Sequence, residues 1–288
     1  MPGSPFPSSS RRPSGRGTLV TDDGLHLFTQ HWKPDGPPRA VVHLVHGYGE
    51  HSGRYAHVAD AMTEAGAAVY TYDQRGYGRS DGQRAYVESF DQYLDDLDHF
   101  LSYVDGRTPD RPRFLFGHSM GGLIALRSAL TRAPDVDGLI LSAPAIEINP
   151  DLAPFLRRIA QWLGAKFPRL PTVRSPEGAI SRDPDVVEQA MNDPLNYHGR
   201  VLARTGAEMI RVGDAVKQDL SRLSLPFFVF HGTADELTDP TWSQRLYEEA
   251  TSSDKTIRLY DGLYHETFNE PERADVLSDL RSWLEKRI

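Results

Sequence analysis

The sequence contains no cysteine in 288 residues. That absence excludes a disulfide framework, a thiolate zinc or iron–sulfur centre, and a cysteine nucleophile. Positive charge is in deficit: 32 Lys and Arg against 40 Asp and Glu give a formal net charge of −8. Phosphate binding draws on clustered Lys and Arg, and here the basic residues are scattered, so no nucleic-acid partner is expected. No apolar run approaches the roughly 20 residues of a membrane-spanning helix. Met1 to Gly17 is made almost wholly of Pro, Ser, Gly and Arg, too little apolar surface to offset the entropy of ordering, so a disordered tail is expected there. Arg11-Arg12 is followed by no apolar stretch of the kind an export signal needs. The chain therefore reads as cytoplasmic and soluble. No metal or cofactor is expected either.

What is present is a rhythm. Leu25 to Trp32, Ala40 to Val45, Ala67 to Tyr72, Arg113 to Phe116, Gly138 to Ser142, Phe227 to Phe230 and Lys255 to Tyr260 read as strands. Between them, Tyr55 to Ala65, the apolar positions from Phe90 to Val104, Met120 to Ala133 and Thr241 to Ala250 have helical spacing, as does the closing stretch from Val276 to Ile288. Val41-Val42-His43-Leu44-Val45 and Leu139-Ile140-Leu141 are near-continuous, as in strands of a parallel sheet covered on both faces. An α/β doubly wound fold follows. The rhythm breaks between residues 147 and 215, where Leu152, Phe155, Leu156, Ile159, Trp162, Leu163 and Phe167 recur at helical spacing. The expected organisation is a tail (1–17), one α/β domain (18–146 and 216–288) and a helical cap inserted between its halves (147–215).

The motif that carries chemistry is Gly117-His118-Ser119-Met120-Gly121, a G-x-S-x-G between a strand and a helix. A serine on such a turn is held in strained backbone with its Oγ projecting above the sheet, and the helix behind it aims N–H groups at the same spot. Ser119 is the candidate nucleophile. A second oxyanion donor belongs on the loop after an early strand, which here is His46-Gly47-Tyr48-Gly49, so the backbone N–H groups of Tyr48 and Met120 are the candidate oxyanion hole. With such an elbow the chain order is serine, acid, histidine. His265 follows the strand ending at Tyr260, and Asp235 follows the strand Phe227 to Phe230, with Asp239 as its rival. His46, His118 and His231 adjoin glycine turns, where a ring nitrogen bonds loop backbone. His51, His57 and His99 read as helix or loop-surface residues.

Several strings together resemble one family. His46-Gly47-Tyr48-Gly49-Glu50-His51-Ser52-Gly53-Arg54-Tyr55, Gly117-His118-Ser119-Met120-Gly121-Gly122, Asp73-Gln74-Arg75-Gly76-Tyr77-Gly78-Arg79-Ser80 and Leu263-Tyr264-His265-Glu266 are similar to monoacylglycerol lipases, serine hydrolases of the α/β-hydrolase superfamily. The resemblance implies an eight-stranded, mostly parallel sheet with an inserted helical cap, the triad Ser119, Asp235 and His265, and a cap over an acyl channel. It places Glu50 and Arg54 near the glycerol head, where the other reading is a salt bridge steadying the oxyanion loop. Phe268 stands where some members carry a second histidine. An apolar cap, with Ile159 and Trp162 as candidate acyl-contact residues, suits a fatty-acyl chain or transient docking on a membrane or lipid-droplet surface. The expected activity is hydrolysis of monoacylglycerol to glycerol and free fatty acid through an acyl-enzyme. A lysophospholipase or broad-specificity esterase would use the same machinery, and a non-catalytic ligand-binding homologue would lack reactivity at Ser119.

Overall fold

The computed structural model describes residues 11–108, 110–148, 154–174 and 176–288. The first two strands, β1 (Gly15–Val20) and β2 (His26–Trp32), pair antiparallel, with Leu19 opposite Leu27. β1 corrects the expectation of a tail running to Gly17, whose residues 1–10 lie outside the described ones. The glycines there answer a packing need: a Cβ on Gly15 would stand 2.5 Å from the His31 ring, and one on Gly17 would stand 3.0 Å from the Tyr103 hydroxyl. A composition that looks like disorder is here a strand pressed flat against its neighbours.

β3 (Ala40–Val45), β4 (Ala67–Tyr72), β5 (Arg113–His118), β6 (Gly138–Ser142), β7 (Phe227–Gly232) and β8 (Lys255–Tyr260) complete a sheet in the order β1-β2-β4-β3-β5-β6-β7-β8. β2 joins β4 antiparallel and every pairing from there on is parallel. β3, β4, β6 and β7 are buried throughout, which explains their unbroken apolar runs, whereas β8 is a half-exposed edge. Two helices, α1 (Ala56–Glu64) and the C-terminal α8 (Arg273–Glu285), cover one face. Trp283 of α8 lies against Phe114 and Phe228 with ring centroids 5.7 and 6.1 Å away. The opposite face is covered by α2 (Asp91–Asp105) and α3 (Met120–Thr131), joined by part of the insertion.

Between β6 and β7 stand α4 (Pro154–Lys166), α5 (Pro184–Asn192) and α6 (Ala203–Asp219), with α7 (Pro240–Glu249) following β7. Met209, Val212 and Val216 of α6 belong to the main core. The boundary expected at residue 215 therefore falls inside one continuous helix. Leu152 lies outside the described residues. On α4, Phe155, Ile159 and Trp162 remain 63%, 46% and 55% exposed, so its apolar side is not used up in packing.

The start of α3 is pressed against the end of β3. A Cβ on Gly121 would stand 2.2 Å from the Val45 carbonyl oxygen and 2.5 Å from that of His46, both rigid backbone. Gly121→Ala is expected to cost about 3 kcal/mol, as overpacking does, and to lower the melting temperature by roughly 5–10 °C. Differential scanning calorimetry checks this, and an unchanged transition would contradict it.

Candidate active site

Ser119 follows the last residue of β5 and precedes α3, with φ 53° and ψ −118°. For a residue with a Cβ this conformation costs on the order of 1–3 kcal/mol and persists only where surroundings over-determine it. They do: Ser119 N–H donates to the Ser142 carbonyl at 2.9 Å, and its own carbonyl accepts from Leu123 and Ala145 N–H, each at 3.0 Å. None of these bonds uses the hydroxyl. The loop after β3 closes on this elbow, since a Cβ on Gly47 would stand 3.2 Å from the Ser119 Cβ. Among the described residues, neither the Tyr48 nor the Met120 backbone N–H donates a hydrogen bond. The Tyr48 ring is held edge-on between Tyr77 and Tyr197, at 5.7 and 6.3 Å.

On the neighbouring strand ends, His265 Nδ1–H donates to Asp235 Oδ2 at 2.7 Å. Asp239, the rival acid, instead caps α7 by accepting from Thr241 N–H at 2.9 Å. Asp235 is fixed on both oxygens. Oδ1 accepts from the Leu237 and Thr238 N–H groups at 2.7 and 3.0 Å, while Oδ2 also accepts from Thr238 Oγ1 and His231 Nε2, each at 2.8 Å. Burial works against the Asp235 charge, yet the two histidines bring its pKa well below the usual carboxylate range. Burial also opposes a charged His265, but the charge and hydrogen bond of Asp235 outweigh it and raise the His265 pKa above the ordinary value. The His118 ring packs 4.7 Å from His265, joining the elbow to it, and burial first, then that neighbour, push His118 well below the ordinary value.

Glu50 and Arg54 face each other. Arg54 Nη1 donates to Glu50 Oε2 at 2.8 Å, and both Nη groups grip the Glu266 carboxylate at 2.7 Å. Glu50 Oε1 accepts from Gly47 N–H at 2.6 Å and from the Tyr55 hydroxyl at 2.5 Å. All three charged side chains are buried, and the planar guanidinium ties the Tyr48 loop to the His265 loop through both of its Nη groups. The same residues also line a cavity of about 80 Å³ with Tyr48, Asn196 and Tyr197. The insertion reaches this loop directly: Tyr197 N–H donates to the Gly49 carbonyl at 2.8 Å, and His51 Nε2 meets Asp193 Oδ2 at 2.9 Å.

Ile159 and Trp162 stay on the exposed side of α4, with Trp162 against Phe167 at 5.9 Å. Four histidines differ from expectation. His51 and His57 are buried, and His118 and His231 bond side chains, not loop backbone. The missed signal was spacing, since His231 and Asp235 stand four apart across the turn that ends β7. Among the described residues no cluster of three or more His, Asp or Glu could hold a metal ion, and no helix is long and apolar enough to cross a membrane.

Residues 36–272 match the family described as serine aminopeptidase, S33. A monoacylglycerol lipase from Mycolicibacterium smegmatis is 37% identical over 261 residues, covering 91% of this chain and 93% of the relative. Phospholipase YtpA from Bacillus subtilis is 33% identical over 260 residues, covering 89% and 99%. The crystal structure of Paleococcus ferrophilus monoacylglycerol lipase superposes with a TM-score of 0.82 at 33% identity, covering 90% of this chain and 98% of that one.

Proposed function

Since the chain belongs to the serine aminopeptidase S33 family and is a serine hydrolase that cleaves esters, we propose that it hydrolyses monoacylglycerol to glycerol and a fatty acid. The observation that carries the chemistry is the 2.7 Å bond from His265 Nδ1 to Asp235, beside a serine held at φ 53°. With Nδ1 committed as donor, His265 Nε2 keeps its lone pair and takes the Ser119 proton as Oγ attacks the ester carbonyl. The two N–H groups of Tyr48 and Met120, which bond nothing else among the described residues, receive the oxyanion. Protonated His265 then gives its proton to the departing glycerol oxygen. A water deprotonated at the same Nε2 attacks the acyl-enzyme and releases the fatty acid.

The inserted cap supplies the acyl face through the exposed side of α4, and the same side suits transient contact with a membrane or lipid-droplet surface. Glu50 and Arg54 hold the oxyanion loop and present a polar wall to the glycerol head in the small cavity beside Tyr48. No cofactor or metal enters this scheme. Ile159→Ser with Trp162→Ser is expected to lower kcat/KM for monoolein by roughly 10–100-fold, the worth of one or two buried apolar side chains, and to leave a short, water-soluble ester within about twofold. Equal losses on both substrates would assign these residues to packing alone.

Lysophospholipid hydrolysis is the second reading, favoured by the phospholipase relative. A panel of mono-, di- and triacylglycerol with lysophosphatidylcholine separates the two. Monoacylglycerol should lead by about tenfold or more in kcat/KM, whereas a lead for lysophosphatidylcholine replaces the first reading with the second. No turnover of any ester, with no fluorophosphonate labelling of Ser119, would overturn both.

A further inference from the structure

We infer that His231 is a positioning residue for the acid–base pair: its Nε2–H occupies Asp235 Oδ2 and thereby sets the carboxylate's direction and moderates the basicity of His265. This rests on the roles given above to Ser119, Asp235 and His265.

His231 is fully buried near the end of β7, and both of its ring nitrogens are committed. Nε2 lies 2.8 Å from Asp235 Oδ2, and Nδ1 lies 2.7 Å from Ser243 Oγ on α7. An ionised carboxylate can only accept, so the proton must be on Nε2. Nδ1 is held by the Ser243 hydroxyl, itself fully buried. Two side chains from different elements thus fix the ring and aim its Nε2–H at the acid.

Asp235 is crowded with donors. Two backbone N–H groups take Oδ1, while His265, His231 and Thr238 all address Oδ2. Two oxygens offer about four lone-pair sites for these five donors. The three groups at Oδ2 therefore compete, and density drawn toward His231 is withheld from His265. The backbone bonds to Oδ1 hold the carboxylate near its place without His231, so losing that N–H changes the field more than the fold. The other groups facing His265 are the His118 ring from β5, Glu266 beside it and Glu50 on the Tyr48 loop, with Arg54 linking both glutamates. None of these hydrogen-bonds His231.

The test is the pH dependence of kcat/KM for a soluble ester. Activity falls as pH drops through the His265 pKa, because the protonated ring cannot act as base. His231→Asn reaches Ser243 but not Asp235, and His231→Phe reaches neither. Both should move the acid limb upward by about 0.5–1 pH unit and lower kcat by about tenfold with KM within about twofold. His231→Gln, which can place an amide N–H where Nε2 was, should restore the wild-type profile. An acid limb unmoved in a folded loss variant overturns the inference, since a purely structural histidine would change the melting temperature alone. If neither loss variant folds, Ser243→Ala decides on the same measurement: it should shift the limb in the same direction, and an unmoved limb overturns the inference. Fluorophosphonate labelling keeps the two failures apart. Unlabelled Ser119 in the wild type refutes the nucleophile, whereas labelled protein with an unmoved limb refutes only the role of His231.

Discussion

Ser119→Ala is expected to lower kcat for a p-nitrophenyl ester by roughly a millionfold, the loss seen when a serine nucleophile is removed and oxyanion binding is left in place. The protein should still fold. Every bond that holds position 119 in its unusual backbone is made by the main chain, to Ser142, Leu123 and Ala145, and alanine keeps all three. The melting temperature should therefore stay within a few degrees of wild type, and fluorophosphonate labelling should vanish. Turnover retained by a purified, folded Ser119→Ala protein would remove Ser119 from the mechanism, whatever the geometry around it.

Asp235→Asn is expected to cost about 10⁴ in kcat. The amide would face donors from His265, His231 and Thr238 with an N–H₂ that cannot accept from any of them. His265 can relieve the clash only by moving its proton to Nε2, which removes the lone pair the reaction needs. Stability changes with a defined sign. The folded-state pKa of Asp235 is depressed, so its contribution is fully present above the unfolded aspartate value of about 3.9 and is lost as pH falls below it. The gap in melting temperature between wild type and Asp235→Asn should be widest near neutrality and narrow below about pH 4. Wild-type kcat in the variant would refute the assignment.

What could be read in the sequence was local. Unbroken apolar runs disclose central strands because both faces of a parallel sheet are covered. The elbow is legible because strand, glycines, serine and helix are contiguous. What could not be read depended on partners distant in the chain. Gly15 and Gly17 look like linker residues until His31 and Tyr103 are set against them. Asp235 is favoured over Asp239 in the sequence by its place nearer the strand end, but the helix cap that occupies Asp239 is seen only in the structure. Helical spacing in α4 marked an apolar side without saying that water covers it. His231 was masked by its own glycine, which suggested a turn and hid a side chain committed to the acid.

Arg54 has a wider consequence. Its guanidinium is one rigid plane gripping two loops, through Glu50 4 residues before it and Glu266 212 residues after it in the chain. One loop carries Tyr48 and the other carries His265. The spacing of the Tyr48 and His265 loops is thus gauged by the size of a single functional group. Lysine, with one charge centre and no fork, could preserve the attraction and still lose the ruler.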